Sequence, residues 1–375
     1  METLDELIYY CNTKEPAGAM FLLGDSGCGK THLVEKDLQE ALRDTHVIVR
    51  VSLFGISSFK TLHDVVKEKW FSALVPVFSK DGRSAEEMAI GKNFMKAVNT
   101  VLKTVFPKAG YLVDAASNIL NDVVVLPVVE DIHSKTTKRV VLVFDDADCT
   151  LLNPMELLGT INDYCENRDF HTIVIGNREN FAEVQKDNAA LFRTAKEKTV
   201  AYMVSFHPDF RKIVHGLIEG KQWESPAYAA FLKKHEATIV DVIGLSGEEA
   251  EEQAKDQGKA GGNGPSLGRC HNLRSLTTAL EVFHRIYLKM TEAGISDLEP
   301  YLRCFLAFYL AERGGVVRDG ITSYRFTEEE LEAIYPGFSS GKLFDSVRGW
   351  IREGYWNEKK FAEELARAKA AGEAK

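Results

Sequence analysis

The chain has 375 residues, 45% of them hydrophobic, and a formal net charge of −9. That much apolar material can bury a large core in two or three domains, which excludes a disordered chain. The acidic balance excludes a protein that coats nucleic acid or anionic membrane by bulk electrostatics and leaves such contacts only to a local basic stripe.

In chain order, Ala17–Leu23 reads as a short buried strand running into Gly24-Asp25-Ser26-Gly27-Cys28-Gly29-Lys30-Thr31. The octapeptide fits the phosphate-loop (Walker A) pattern G-x-x-x-x-G-K-[ST] at every fixed position. Glycines let consecutive backbone N–H groups converge on phosphate oxygens, Lys30 reaches the β- and γ-phosphates, and the Thr31 hydroxyl is left for magnesium. His32 follows at the rim, and Thr31–Leu42 has the apolar spacing of a helix leaving the loop. Gly24 to His32 are therefore the expected nucleotide contacts.

His46–Leu53 reads as a second strand and Phe59–Leu74 as a helix. Residues from about 77 to 134 form an amphipathic helical tract, in which Asn93–Phe106 carries an apolar stripe. That stripe packs either on the flank of the sheet or against a partner or membrane surface. The most apolar stretch, Tyr111–Val129, is interrupted by Asp114, Asn118, Asn121 and Asp122, so no transmembrane span is expected.

Hydrolysis next requires a buried strand ending in acids, and Arg139–Asp148 supplies one. Val140–Phe144 suits a central parallel strand, and the acids fall at its carboxyl end, where ligands sit in open α/β sheets. Asp145 is the expected magnesium ligand and Asp146 the residue that orients or deprotonates water, with Asp148 a weaker candidate. The alternative for this trio is an acidic turn that caps the next helix. Thr172–Asn177 is a further strand, and its terminal Asn177 either contacts the lytic water or forms a turn.

These pieces resemble the KAP-type P-loop NTPases, specifically the bacterial YobI-like group within the AAA+/STAND assemblage. The resemblance covers roughly residues 21 to 283 and rests on GDSGCGKTHL, VSLFGISS, VVLVFDDAD, LLGTINDYCENRDFHTIVIGNREN and FRTAKEKTVAYMVSFHPDF in that order. It implies a sensor role for Asn177, and it puts Arg193 and the run Lys196-Glu197-Lys198 on a segment bearing a phosphate-facing or trans-acting cation. It also implies that Arg274, on an amphipathic lid helix spanning Cys270–Phe283, senses nucleotide. The other readings are a solvated charge cluster for the former and a capping residue for Arg274. Many KAP members carry transmembrane helices in the insertion, and here that tract is too polar for them.

The expected fold class is α/β: a P-loop NTPase parallel sheet sandwiched by helices, with an insertion between the phosphate loop and the acidic strand. Residues 1–207 form the core and 208–295 a helical lid broken by a charged, glycine-rich mobile loop at about 246–268. Residues 296–375 form a helical domain, with a winged or helix-turn-helix module as one reading. Six cysteines without C-x-x-C pairs point to a reducing cytoplasm, no Cys/His spacing suggests a structural metal, and the acidic amino terminus carries no secretory signal. No N-K-x-D motif is present, so ATP with Mg2+ is expected over GTP.

The leading functional expectation is an ATP-hydrolysing switch or assembly ATPase, which the resemblance sets in a bacterial anti-phage defence or stress module and which works as a homo-oligomer or with a partner protein. One alternative is a nucleic-acid loader ATPase with Lys342, Arg348 and Arg352 on phosphates, although the net charge does not indicate DNA. The other is a nucleotide-binding scaffold without turnover.

Overall fold

The computed structural model describes residues 2–78, 138–166, 170–177, 194–244, 267–269, 271–318, 321–335 and 337–373. Nearly all of the expected insertion and of the expected 246–268 loop lies outside these residues, as do Tyr111–Val129 and Arg193. By internal contacts the chain forms two compact units, one of Met1–Gly24 with Lys30–Phe206 and one of Asp25–Gly29 with His207–Lys375.

The first unit is an α/β layer structure. Helix α1 (Thr3–Asn12) precedes β1 (Ala19–Leu23). After the phosphate loop come α2 (Lys30–His32), a π-helical stretch (Leu33–Leu38) and α3 (Gln39–Ala41). Then follow β2 (His46–Ser52), α4 (Phe59–Phe78), β3 (Arg139–Asp145), α5 (Pro154–Glu166), β4 (His171–Gly176) and β5 (Val200–Ser205). The five strands pair in parallel in the order β2-β3-β4-β1-β5.

Strand character follows position in that order. The inner strands β1, β3 and β4 are near-continuous apolar runs buried on both faces, whereas the edge strands β2 and β5 alternate. Alternation divides the core in two. Met20, Leu22, Val141, Val143, Ile173 and Ile175 pack with Leu7 and Tyr10 of α1 and with Leu33, Val34 and Leu38 behind the phosphate loop. On the opposite face Phe21, Val49, Leu142, Phe144 and Val174 pack with Leu62, Val66 and Trp70 of α4 and with Leu157, Ile161 and Tyr164 of α5.

Two differences from the sequence reading concern elements. The helix leaving the phosphate loop is π-wound over its middle six residues, and α1 and β5 add a helix and an edge strand to the core. Among the described residues no helix is long and apolar enough to cross a membrane.

The second unit is mainly helical: α6 (Phe210–Gly220), α7 (Pro226–Lys234), α8 (Glu236–Ile243), α9 (Leu273–Glu292), α10 (Glu299–Gly314), α11 (Glu328–Ile334), α12 (Asp345–Glu353) and α13 (Glu358–Glu373). A small antiparallel sheet joins β6 (Leu267–Arg269), β7 (Val316–Arg318) and β8 (Ile321–Ser323). One buried cluster runs from Phe210 through Phe283 and Phe305 to Phe361, so the segments read as lid and as carboxyl-terminal domain share a core.

Candidate nucleotide site

In the first unit, β1 delivers Gly24 beside the end of β4: Leu23 pairs with Gly176, and the Gly24 amide donates to the Gly176 carbonyl at 3.3 Å. Asn177, the next residue, is half-buried at the same carboxyl edge. Lys30 is buried, and its ammonium donates to the Gly24 carbonyl at 2.7 Å. His32 is exposed.

The acidic strand meets the phosphate-loop helix directly. Asp145 is 2% exposed, and its Oδ2 accepts from the Thr31 hydroxyl at 2.8 Å, across 114 residues of chain. The same Oδ2 accepts from Arg50 Nη1 at 2.7 Å, and Oδ1 accepts from the Asp146 amide at 2.9 Å. Arg50 also places Nε 2.7 Å from Glu35 Oε1, in the π-wound stretch. Ser52, register partner of Asp145, donates from Oγ to Asp146 Oδ2 at 2.6 Å.

Asp146 itself is held at φ 57°, ψ 37°, and among the described residues it is the one non-glycine at positive φ. A non-glycine in this left-handed region costs about 1 kcal/mol or more. The conformation turns the chain out of β3 at once, so Asp145 stays on the phosphate-loop face while Asp146 leaves the strand toward Ser52. Asp148 sits in the short 3-10 turn Ala147–Cys149 that follows.

Asp25–Gly29 group with the second unit. Gly27 and Gly29 have φ of 73° and 108°, values that L side chains rarely adopt. Asp25 and Ser26 are exposed, Cys28 is buried, and the Cys28 amide donates to the Asp25 carbonyl at 3.4 Å. The Gly27 carbonyl accepts from the Leu273 amide at 2.9 Å, and a Cβ on Gly27 would stand 2.5 Å from the Asn272 amide group. Asn272 caps α9, its Oδ1 accepting from the Ser275 amide. Arg274, in the first turn of that helix, is exposed, and its guanidinium pairs with none of the described residues.

Hard oxygen donors suit magnesium, and a threonine hydroxyl beside a carboxylate is such a set. Thr31 and Asp145 therefore fit the ion. Lys198 pairs with Glu166 at 3.7 Å, as a solvated charge does. Sequence reasoning passed over Arg50, Ser52 and Glu35, whose roles come from strand register and the π turn.

No protein-family model matches the chain, and no curated protein matches it. Solved structures to which the chain is similar include Cdc6p from Pyrobaculum aerophilum, with a TM-score of 0.42 and 13% identity over 98% of this chain and 85% of that one. The Aeropyrum pernix ORC1 protein in complex with DNA gives a TM-score of 0.30 and 12% identity over 88% and 74%. AMPPCP-bound DnaA from Aquifex aeolicus gives 0.29 and 14% over 99% and 94%. Likeness at this level says nothing of activity. The chain's own strand order, with a phosphate loop after β1 and paired acids after β3, gives it a P-loop NTPase fold.

Proposed function

We propose that the chain binds ATP with magnesium and hydrolyses it, acting as an assembly ATPase or molecular switch. The observation that carries this reading is the hydrogen bond between Thr31 and Asp145, which joins the phosphate loop to the acidic strand. Thr31 and Asp145 would hold magnesium, which when bound neutralises charge on the phosphate oxygens. Lys30 binds the β- and γ-phosphates, and Asp146 orients the attacking water and accepts its proton. Asn177, at the edge of β4 beside Gly24, contacts that water or the γ-phosphate. Arg193 and Arg274 are the cations assigned to the γ-phosphate and to sensing nucleotide, Arg274 being supported by an exposed guanidinium that pairs with none of the described residues.

The resemblance to KAP-type NTPases of the YobI-like group makes a bacterial anti-phage defence or stress module the proposed setting, with a second copy or a partner protein completing the assembly. In a loader of nucleic acid, by contrast, three basic residues would have to exchange partners. Lys342 stands 4.9 Å over the Tyr301 ring, Arg348 bonds the Ser340 carbonyl and Glu328, and Arg352 bonds Glu312 at 2.6 Å.

The test is ATP turnover against protein concentration for wild type and Asp146→Asn, with Lys30→Ala as the binding control and GTP as competitor. Turnover that rises with concentration, collapses in Asp146→Asn and resists GTP supports the reading. Lys30→Ala turning over as fast as wild type defeats it, and equal competition by GTP overturns the choice of base.

A further inference from the structure

Arg50 belongs to no recognised motif, yet its guanidinium lies between two carboxylates, 2.7 Å from Glu35 on one side and 2.7 Å from Asp145 on the other. The alternation of β2 explains how it gets there. Ile48, Arg50 and Ser52 share the sheet face of Val141, Val143 and Asp145, and the pairing of Ser52 with Asp145 sets Arg50 two residues behind the acid. Glu35 meets it from the π-wound stretch, where wider winding changes which residues face the sheet.

A carboxylate has about four acceptor positions. On Asp145 the Thr31 hydroxyl and Arg50 take both positions of Oδ2, and the Asp146 amide takes one of Oδ1. Among the described residues this leaves one position, on a carboxylate that already has a full positive charge against it. Glu35 shares that charge, since it draws the Nε edge of the same guanidinium.

We propose that Arg50 is a resident counter-cation of Asp145, restrained by Glu35, and that this pair sets the magnesium concentration at which nucleotide binds. The proposal rests on the nucleotide reading of the site. Arg50 acts through Asp145 and is a positioning residue. It keeps a buried carboxylate compensated, because an uncompensated one destabilises the fold. By the same charge it opposes a divalent ion at that carboxylate, because like charges a few ångströms apart repel strongly in a partly buried site. An ion pair that merely stitched β2 to the helix would affect stability and leave the magnesium requirement alone.

The experiment titrates MgCl2 into the full chain with a fluorescent N-methylanthraniloyl ATP and reads the magnesium concentration at half-maximal binding. Arg50→Gln is expected to lower that concentration about three- to ten-fold and to increase the rise in thermal midpoint that magnesium and nucleotide produce. Glu35→Gln leaves the guanidinium wholly to Asp145 and is expected to raise the concentration by a similar factor. Glu35 is exposed, its side chain at 45%, so this variant is expected to fold and decides the matter if Arg50→Gln does not. An unchanged midpoint in Glu35→Gln, or a higher one in Arg50→Gln, overturns the proposal while the nucleotide reading stands. Wild type that binds no nucleotide at any magnesium concentration overturns both.

Discussion

Asp146 combines a strained backbone with the side chain proposed to orient water. Substituting glycine and alanine at this position separates the two, since both lose the bond from Ser52 and only alanine keeps the cost of positive φ. Asp146→Gly is expected to be more stable than Asp146→Ala by about 1 kcal/mol in urea denaturation, and both are expected to be inactive. Ser52→Ala tests the other half of the arrangement. Freeing the carboxylate is expected to change kcat for ATP several-fold while nucleotide affinity holds, because Ser52 touches Asp146 and not the phosphate loop. Legibility at this scale follows the same division. Lys30, Thr31 and Asp145 are visible in sequence because the chemistry dictates residue type and local context. Arg50, Ser52 and Glu35 are not, because an arginine in an alternating strand looks like any edge-strand charge until the register with β3 is known.

At the level of elements, α1 is tied to the sheet by one buried phenol. Tyr10 Oη donates to the Gly18 carbonyl at 2.8 Å and accepts from the Thr172 amide at 2.9 Å. Tyr10→Phe strands these groups and is expected to cost about 2–3 kcal/mol, read as a shift in the denaturation midpoint. His46 fastens α1 to β2 in its neutral form: Nε2 donates to the Cys11 carbonyl at 2.9 Å, and Nδ1 takes the Thr45 hydroxyl at 2.8 Å. Burial pulls its pKa below the ordinary 6.5, with a smaller lowering from Arg139 set against the opposing bond to Cys11. The unfolded chain therefore binds the proton more readily. The stability His46 contributes is held above pH about 6.5 and lost as the pH falls toward its depressed native value. Denaturation midpoints of wild type and His46→Gln measured across pH 7.5 to 5 are expected to show a smaller acid loss in the variant. Strands β1, β3 and β4 were legible because burial on both faces leaves an unbroken apolar run. Edge strand β5, with alternating burial, and the short α1 offered no such signal. Nor did composition distinguish π from α winding after the phosphate loop.

Taken as a whole, the molecule has separate cores. The residues from Phe210 to Phe361 form one cluster, and the two faces of the parallel sheet form the others. Leu142→Ala and Phe283→Ala each remove a fully packed side chain and are expected to cost about 3–5 kcal/mol. Each is expected to lower the calorimetric transition of its own unit and leave the other in place. A single transition moved equally by both variants would mean that the units unfold together.

The strand order also has a consequence for synthesis. β1 leads the sheet in sequence but pairs with β4 and β5, its last two strands, and Tyr10 waits 162 residues for Thr172. At roughly 5–20 residues per second the ribosome takes on the order of 8–30 s to deliver those partners. Throughout that interval an entirely apolar strand has no neighbour of its own to pair with, which makes the nascent phosphate-loop segment a natural client for chaperones.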